Sequence, residues 1–206
     1  MPGAASTTRR QLIRRAAVYA GLGTAGPSLD SLLSAAPAPA QGQGETDTQA
    51  LLTLLAVEQL TIVVYERAHR SGRLSPRTQR LASKLLGHET AHARTLELEL
   101  RRRGQSPPPK PAGTGEADRA LARLHVSRSL TTLHGEPDWI GLMLDVEAAA
   151  EAAYYDAMSK LGDPGLLRIA AEVLASEAQH ATLLSQVLYP GKPSKAVPDA
   201  FVEGKR

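Results

Sequence analysis

The sequence predicts an all-α fold, an antiparallel four-helix bundle made of two helical hairpins joined by a long crossover. Three observations predict it. The stretch Leu85-Leu86-Gly87-His88-Glu89-Thr90-Ala91-His92-Ala93 returns as Val173-Leu174-Ala175-Ser176-Glu177-Ala178-Gln179-His180-Ala181, so a Glu-x-x-His unit occurs twice in one apolar frame. Ahead of each copy lies a second matched pair. Leu55-Ala56-Val57-Glu58, with Tyr65 and Ala68 downstream, reappears as Leu144-Asp145-Val146-Glu147 with Tyr154 and Ala157, and Glu58 stands 31 residues before Glu89 as Glu147 stands 30 before Glu177. Composition agrees, because a chain that is 42% hydrophobic but only 3% aromatic, rich in Ala and Leu, favours closely packed helices over a sheet.

The chain of 206 residues has length for one domain with a real core. Residues 1–40 read as an export signal. Arg9-Arg10-Gln11-Leu12-Ile13-Arg14-Arg15 forms a charged region, a short apolar run follows from Ala16 to Ala25, and Ala38-Pro39-Ala40 offers a small-residue cleavage site. The arginine pair resembles a twin-arginine leader, and a basic N-terminus of no export role is the alternative. The apolar run is too short to span a bilayer, so no transmembrane span is expected in the mature form, and the expected location is periplasm, cell envelope or outside the cell.

Residues 41–47 are polar and read as a linker. The first bundle helix then runs over 48–70, with Leu51, Leu54, Leu55, Ile62 and Tyr65 at three- and four-residue spacing and Glu58 in the same stripe. After a short turn, Ser75-Pro76 reads as N-cap and first residue of the second helix, which ends in Arg101-Arg102-Arg103 and stops at Gly104. So short a turn makes the two helices antiparallel. Residues 104–138 form the crossover, where Pro107-Pro108-Pro109 and Gly113-Thr114-Gly115 forbid continuous helix and Glu116–Leu130 allows one modest helix. The third bundle helix is expected from an Asp138 N-cap to Lys160, and the fourth from an Asp163 cap with Pro164 to Leu188. Residues 189–206, broken by Pro and Gly, read as a loosely ordered tail.

The charge balance is local. Formal net charge is +3, but residues 1–40 hold four Arg and one Asp, leaving 20 basic against 20 acidic side chains. With no Lys/Arg stripe interleaved with aromatics, nucleic acid is not an expected partner. The chain has no Cys, which excludes disulfides, thiol catalysis, iron–sulfur clusters and Cys-based zinc sites.

Glu89 and His92, three residues apart, lie one turn apart on the helix face that carries Leu85, Leu96 and Leu100. Glu177 and His180 repeat this on the fourth helix. With Glu58 and Glu147, four carboxylates and two imidazoles point into one interior, where each unpaired carboxylate would lose several kcal/mol of solvation or take up a proton. Two divalent cations would offset that charge, and the oxygen and imidazole donors suit iron, manganese or zinc. The alternative is a metal-free bundle in which Glu and His pair with one another. Other residues leave choices open. Glu151, one turn after Glu147, is an extra ligand, an acid–base group or a solvated flank. Tyr65 and Tyr154 bond ligand carboxylates, act as redox-active phenols or fill the core. Glu66-Arg67-Ala68-His69, a third Glu-x-x-His, reads as incidental, and His88 as a helix-flank residue.

Glu58, Glu89-x-x-His92, Glu147 and Glu177-x-x-His180 resemble the ligand set of the ferritin-like superfamily, on the rubrerythrin side and among exported bacterial ferritin-like domains, over roughly 48–188. The resemblance implies a dinuclear centre of two iron (or manganese) ions. Glu58 and Glu147 would be terminal or bridging ligands, and each Glu-x-x-His would supply a carboxylate and an imidazole. It implies activities such as ferroxidation, peroxide reduction or oxygen-linked oxidation, with Glu151, Tyr65 and Tyr154 as candidate catalytic groups. Rubrerythrin-like proteins carry a second carboxylate near the ligand Glu of the third helix, whereas Glu151 stands four residues on, a departure that bears on peroxidase chemistry. Without a Cys-based rubredoxin module, the electron donor must be another molecule. The expected substrate is a small molecule or a metal ion, nothing points to a 24-subunit cage, and a homodimer is kept open. The classes to separate are an exported di-metal oxidoreductase, a metal-sequestering protein without turnover and a metal-free envelope protein.

Overall fold

The computed structural model describes residues 42–197, so residues 1–40, where an export signal is expected, and residues 198–206 of the tail lie outside the described residues. Six helices and no strand occur among them. In order they are α1 (Gln43–Arg70), α2 (Pro76–Arg102), α3 (Thr114–Arg123), α4 (Glu136–Met158), α5 (Pro164–Leu188) and the single turn α6 (Pro193–Ala196). Helices α1 and α2 form the first hairpin and α4 and α5 the second; α1 also packs along α4, whereas α2 and α5 meet sparsely. The inner pair α1 and α4 therefore carries most of the core, with Leu51, Leu54, Leu55, Leu60 and Met143 at 1% exposure or less. By length and composition α1 could cross a membrane, but 83% of its apolar window is buried inside the bundle.

The first helix begins five residues earlier than its apolar pattern predicts. Residues 43–47 are not a linker, because their polar side chains bind the turn between α4 and α5. Gln43 Nε2 donates to Lys160 O (3.0 Å), and the buried carboxylate of Asp47 accepts from Gly162 N (2.8 Å) and Asp163 N (3.2 Å). Ser75 caps α2 as expected, its hydroxyl accepting from Thr78 N at 3.4 Å. At the other end Gly104 takes φ +72°, and Gln105 N reaches back to Leu100 O (2.9 Å), closing the helix with a left-handed residue that Gly adopts at no steric cost.

The crossover is pinned to α1. Gln59 Nε2 donates to Pro108 O (2.7 Å), and α3 buries Ala117, Ala120 and Leu121. Helix α4 starts at Glu136 rather than Asp138. Pro137 fits the first turn, where its missing N–H costs nothing, and Asp138, already inside the helix, reaches back to accept from His134 N (2.9 Å) and Gly135 N (3.1 Å). Asp163 caps α5 by accepting from Gly165 N at 2.7 Å, and its other oxygen pairs with Arg103 at the end of α2 (2.8 Å). Part of the tail is ordered, for α6 buries Ala196.

Candidate metal centre

Each hairpin delivers three side chains to mid-bundle because each sits in an apolar stripe that must face inward. Glu58 lies on α1 between Leu54 and Ile62, Glu89 and His92 lie on α2, Glu147 on α4, and Glu177 and His180 on α5; the four carboxylates are wholly buried. The ligand atoms form two overlapping quartets that could hold a metal ion. Glu58, Glu89, His92 and Glu177 make one, and Glu89, Glu147, Glu177 and His180 the other, with the atoms of each within 4.8 Å of one another. Glu89 and Glu177 belong to both.

The donor atoms fit a cation. His92 Nδ1 lies 2.9 Å from Glu177 Oε1 and 3.6 Å from Glu89 Oε2, and His180 Nδ1 lies 2.8 Å from Glu89 Oε1 and 3.4 Å from both Glu147 Oε2 and Glu177 Oε2. None of these contacts is aligned as a hydrogen bond, so eight inward-facing atoms have no hydrogen-bond partner. These are both oxygens of Glu89 and of Glu177, Oε2 of Glu58 and of Glu147, and Nδ1 of each histidine. Natural interiors seldom leave buried polar atoms unsatisfied, and so concentrated a set is what cation ligands present.

The tyrosines explain why the other carboxylate oxygens are missing from that set. Tyr154 on α4 donates its hydroxyl to Glu58 Oε1 on α1 (2.5 Å), and Tyr65 on α1 donates to Glu147 Oε1 on α4. Glu58 and Glu147 thus each keep one oxygen free, whereas Glu89 and Glu177 keep two. Burial, with the nearby carboxylates, pushes both phenols well above their ordinary pKa, so they remain hydrogen-bond donors.

Burial and ion pairing push the four carboxyls of this cluster in opposite directions. Burial raises Glu58 and Glu147 well above the usual carboxylate range, and the neighbouring carboxylates add to the rise. Burial also works against ionisation of Glu89 and Glu177, but their contacts with His180 and His92 outweigh it, lowering Glu89 and bringing Glu177 to about 2. Burial disfavours charge on the imidazoles as well, yet the surrounding carboxylates win, carrying His92 to about 9 and His180 to about 12. Burial thus favours the protonated form of Glu58 and Glu147, while the ion pairs with His92 and His180 favour the ionised form of Glu89 and Glu177.

Glu151 is buried on α4 but stands outside both quartets. Glu66 pairs on the surface with Arg70 (3.1 Å) and Lys110 (3.0 Å), and His69 is exposed, with Nδ1 2.8 Å from Gln79 Nε2, so this third Glu-x-x-His is outside the centre. His69 instead lies against the surface of α2, where Ser83 Oγ is a further 3.3 Å neighbour of its Nδ1. His88, read from sequence as a flank residue, meets the centre from outside, its Nδ1 3.0 Å from His180 Nε2. Ser176 Oγ lies 3.2 Å from the same nitrogen. The usable signal was spacing, for His88 stands four residues before His92 and so shares its face.

The sequence profile of the ferritin-like domain matches residues 46–190, covering nearly all of the bundle and all six inward Glu and His residues. The chain belongs to the ferritin-like domain family. Among solved structures, this ferritin-like protein is similar to a conserved hypothetical protein, rv2844, from Mycobacterium tuberculosis. The two are 21% identical, with a TM-score of 0.61 over 72% of this chain and 94% of that one, a likeness of fold. No curated protein matches it.

Proposed function

We propose that this ferritin-like protein is an exported dinuclear-metal oxidoreductase, holding two iron (or manganese) ions and acting on ferrous iron, O2 or peroxide. The observation that carries the reading is the division of free oxygens. Glu89 and Glu177 have both oxygens free and belong to both quartets, as bridging ligands would, while Glu58 and Glu147 have one each, as terminal ligands would. A bound redox-active pair would supply electron transfer between ferrous iron or an external donor and O2 or peroxide.

The chain's own residues do the rest. Glu58 and His92 would complete one metal position, Glu147 and His180 the other. Tyr154 and Tyr65 fix the orientation of the terminal carboxylates and hold a proton beside each. The apolar side chains of α1 and α4 close the inner side of the centre to water, so access is from the α2 and α5 side, where His92 is 14% exposed. A second reading, sequestration of metal without turnover, is favoured by the position of Glu151 outside both quartets.

Metal analysis of the full-length chain after iron or manganese supply tests the proposal. About two ions per chain are expected in the wild type, and their loss in the Glu89→Ala/His180→Ala double variant. A folded wild type with no more metal than the variant rejects both metal readings. Given loading, oxidation of the ferrous protein by O2 or peroxide marks the oxidoreductase, and retention of ferrous iron under both oxidants marks sequestration.

A further inference from the structure

We infer that His88 is a positioning residue that makes the two metal positions unequal, locking His180 as a ligand while His92 is left without an equivalent. This rests on the metal-binding reading above.

His180 points Nδ1 at the carboxylates of the centre and Nε2 at His88 Nδ1, 3.0 Å away, with the two ring centroids 5.2 Å apart. Only a ring that carries its hydrogen on Nε2 can both donate to His88 and leave a lone pair on Nδ1 for a cation. With His180 in that form, His88 would accept through Nδ1 and carry its own hydrogen on Nε2. An outer partner of this kind fixes the tautomer and the ring plane of a ligating histidine.

The internal repeat shows why only one side has it. His88 and Ser176 occupy equivalent places, each four residues before the ligand histidine of its own helix. Ser176 stays with His180 (3.2 Å), but His88 also turns across the α2 and α5 seam to His180 rather than serving His92. His180 thus collects both outer partners and is 2% exposed. Among the described residues His92 has no such outer hydrogen-bond partner and is 14% exposed; beyond the carboxylates of the centre its ring stacks on that of His180, with centroids 6.0 Å apart.

The test uses the full-length protein and ferrous iron alone, titrated anaerobically by calorimetry. The wild type should bind in two phases of unequal affinity. His88→Ala should weaken the tighter phase by about 10–100-fold and leave the weaker one in place, while His88→Gln, whose side-chain carbonyl can accept from Nε2, should restore much of the loss. A metal-free reading comes from imidazole NMR, where the Nε2 proton of His180 should be protected from exchange and lose that protection in His88→Ala. An unchanged tight phase in His88→Ala, or equal weakening of both phases, overturns the inference while leaving the metal centre standing. A wild type that binds no ferrous iron overturns both.

Discussion

At the scale of single residues the proton inventory of the centre is also its chemistry. Loading two divalent ions needs Glu58 and Glu147 ionised and both imidazoles neutral. Burial raises the two carboxyls and the surrounding carboxylates raise the two imidazoles, so loading works against the protonated form of all these groups and should displace protons. Calorimetry in buffers of different ionisation enthalpy should report a net release of protons on loading, and affinity should rise with pH. A release near zero would mean that the cluster is already ionised. The stability of the metal-free protein should pass through a maximum instead. His92 rises from 6.5 to about 9 on folding, so its stabilisation is fully present below pH 6.5 and is lost as pH climbs through 9. Glu177 falls from 4.5 to about 2, so its contribution holds above 4.5 and disappears as pH drops toward 2. Thermal melts of the metal-free chain should peak between these windows. Removing one phenol is a separate test. Tyr65→Phe strips Glu147 Oε1 of its buried donor and should cost about 1–3 kcal/mol in urea unfolding, whereas an unchanged midpoint would show that Glu147 finds another partner.

The helices show which parts of this architecture the sequence could reveal. The inward placement of the six Glu and His side chains was legible because a carboxylate or imidazole in an apolar stripe has to face the core, and the duplicated frame fixed their register. The start of α1 was not. Gln43-Gly44-Glu45-Thr46-Asp47 contains no apolar residue, so no periodicity marks it as helix, and its order comes from contacts with the α4 and α5 turn more than a hundred residues away. The tyrosine pairing was hidden for a similar reason. A phenol seven residues after a glutamate on one helix looks like that glutamate's companion, yet each tyrosine bonds the glutamate of the facing helix, a choice made by packing. Asp47 carries the prediction at this scale. Asp47→Ala leaves Gly162 N and Asp163 N without an acceptor and should cost about 1–3 kcal/mol, whereas Asp47→Asn, which keeps one oxygen, should lose less. Equal loss in both variants would place the contribution in charge rather than in hydrogen bonding.

For the whole molecule, folding and loading should be one equilibrium. The bundle encloses acidic groups that a cation would favour, so saturating ferrous iron or manganese should raise the melting temperature of the wild type and leave that of the Glu89→Ala/His180→Ala variant unmoved. A wild type whose melt ignores the metal would contradict a site in the folded core. Neither hairpin can build a quartet alone. The first quartet borrows Glu177 from the second hairpin, the second borrows Glu89 from the first, and each tyrosine reaches across to the other half. The polypeptide is thus two hairpins with matching motifs that complete each other's sites reciprocally, and residues 104–135 are the tether that makes their meeting unimolecular. An ancestor of half this length could have built the same cluster by self-association, and joining the copies freed each to diverge. His88 facing Ser176 across the repeat is one such divergence, a difference that two identical subunits could not have kept.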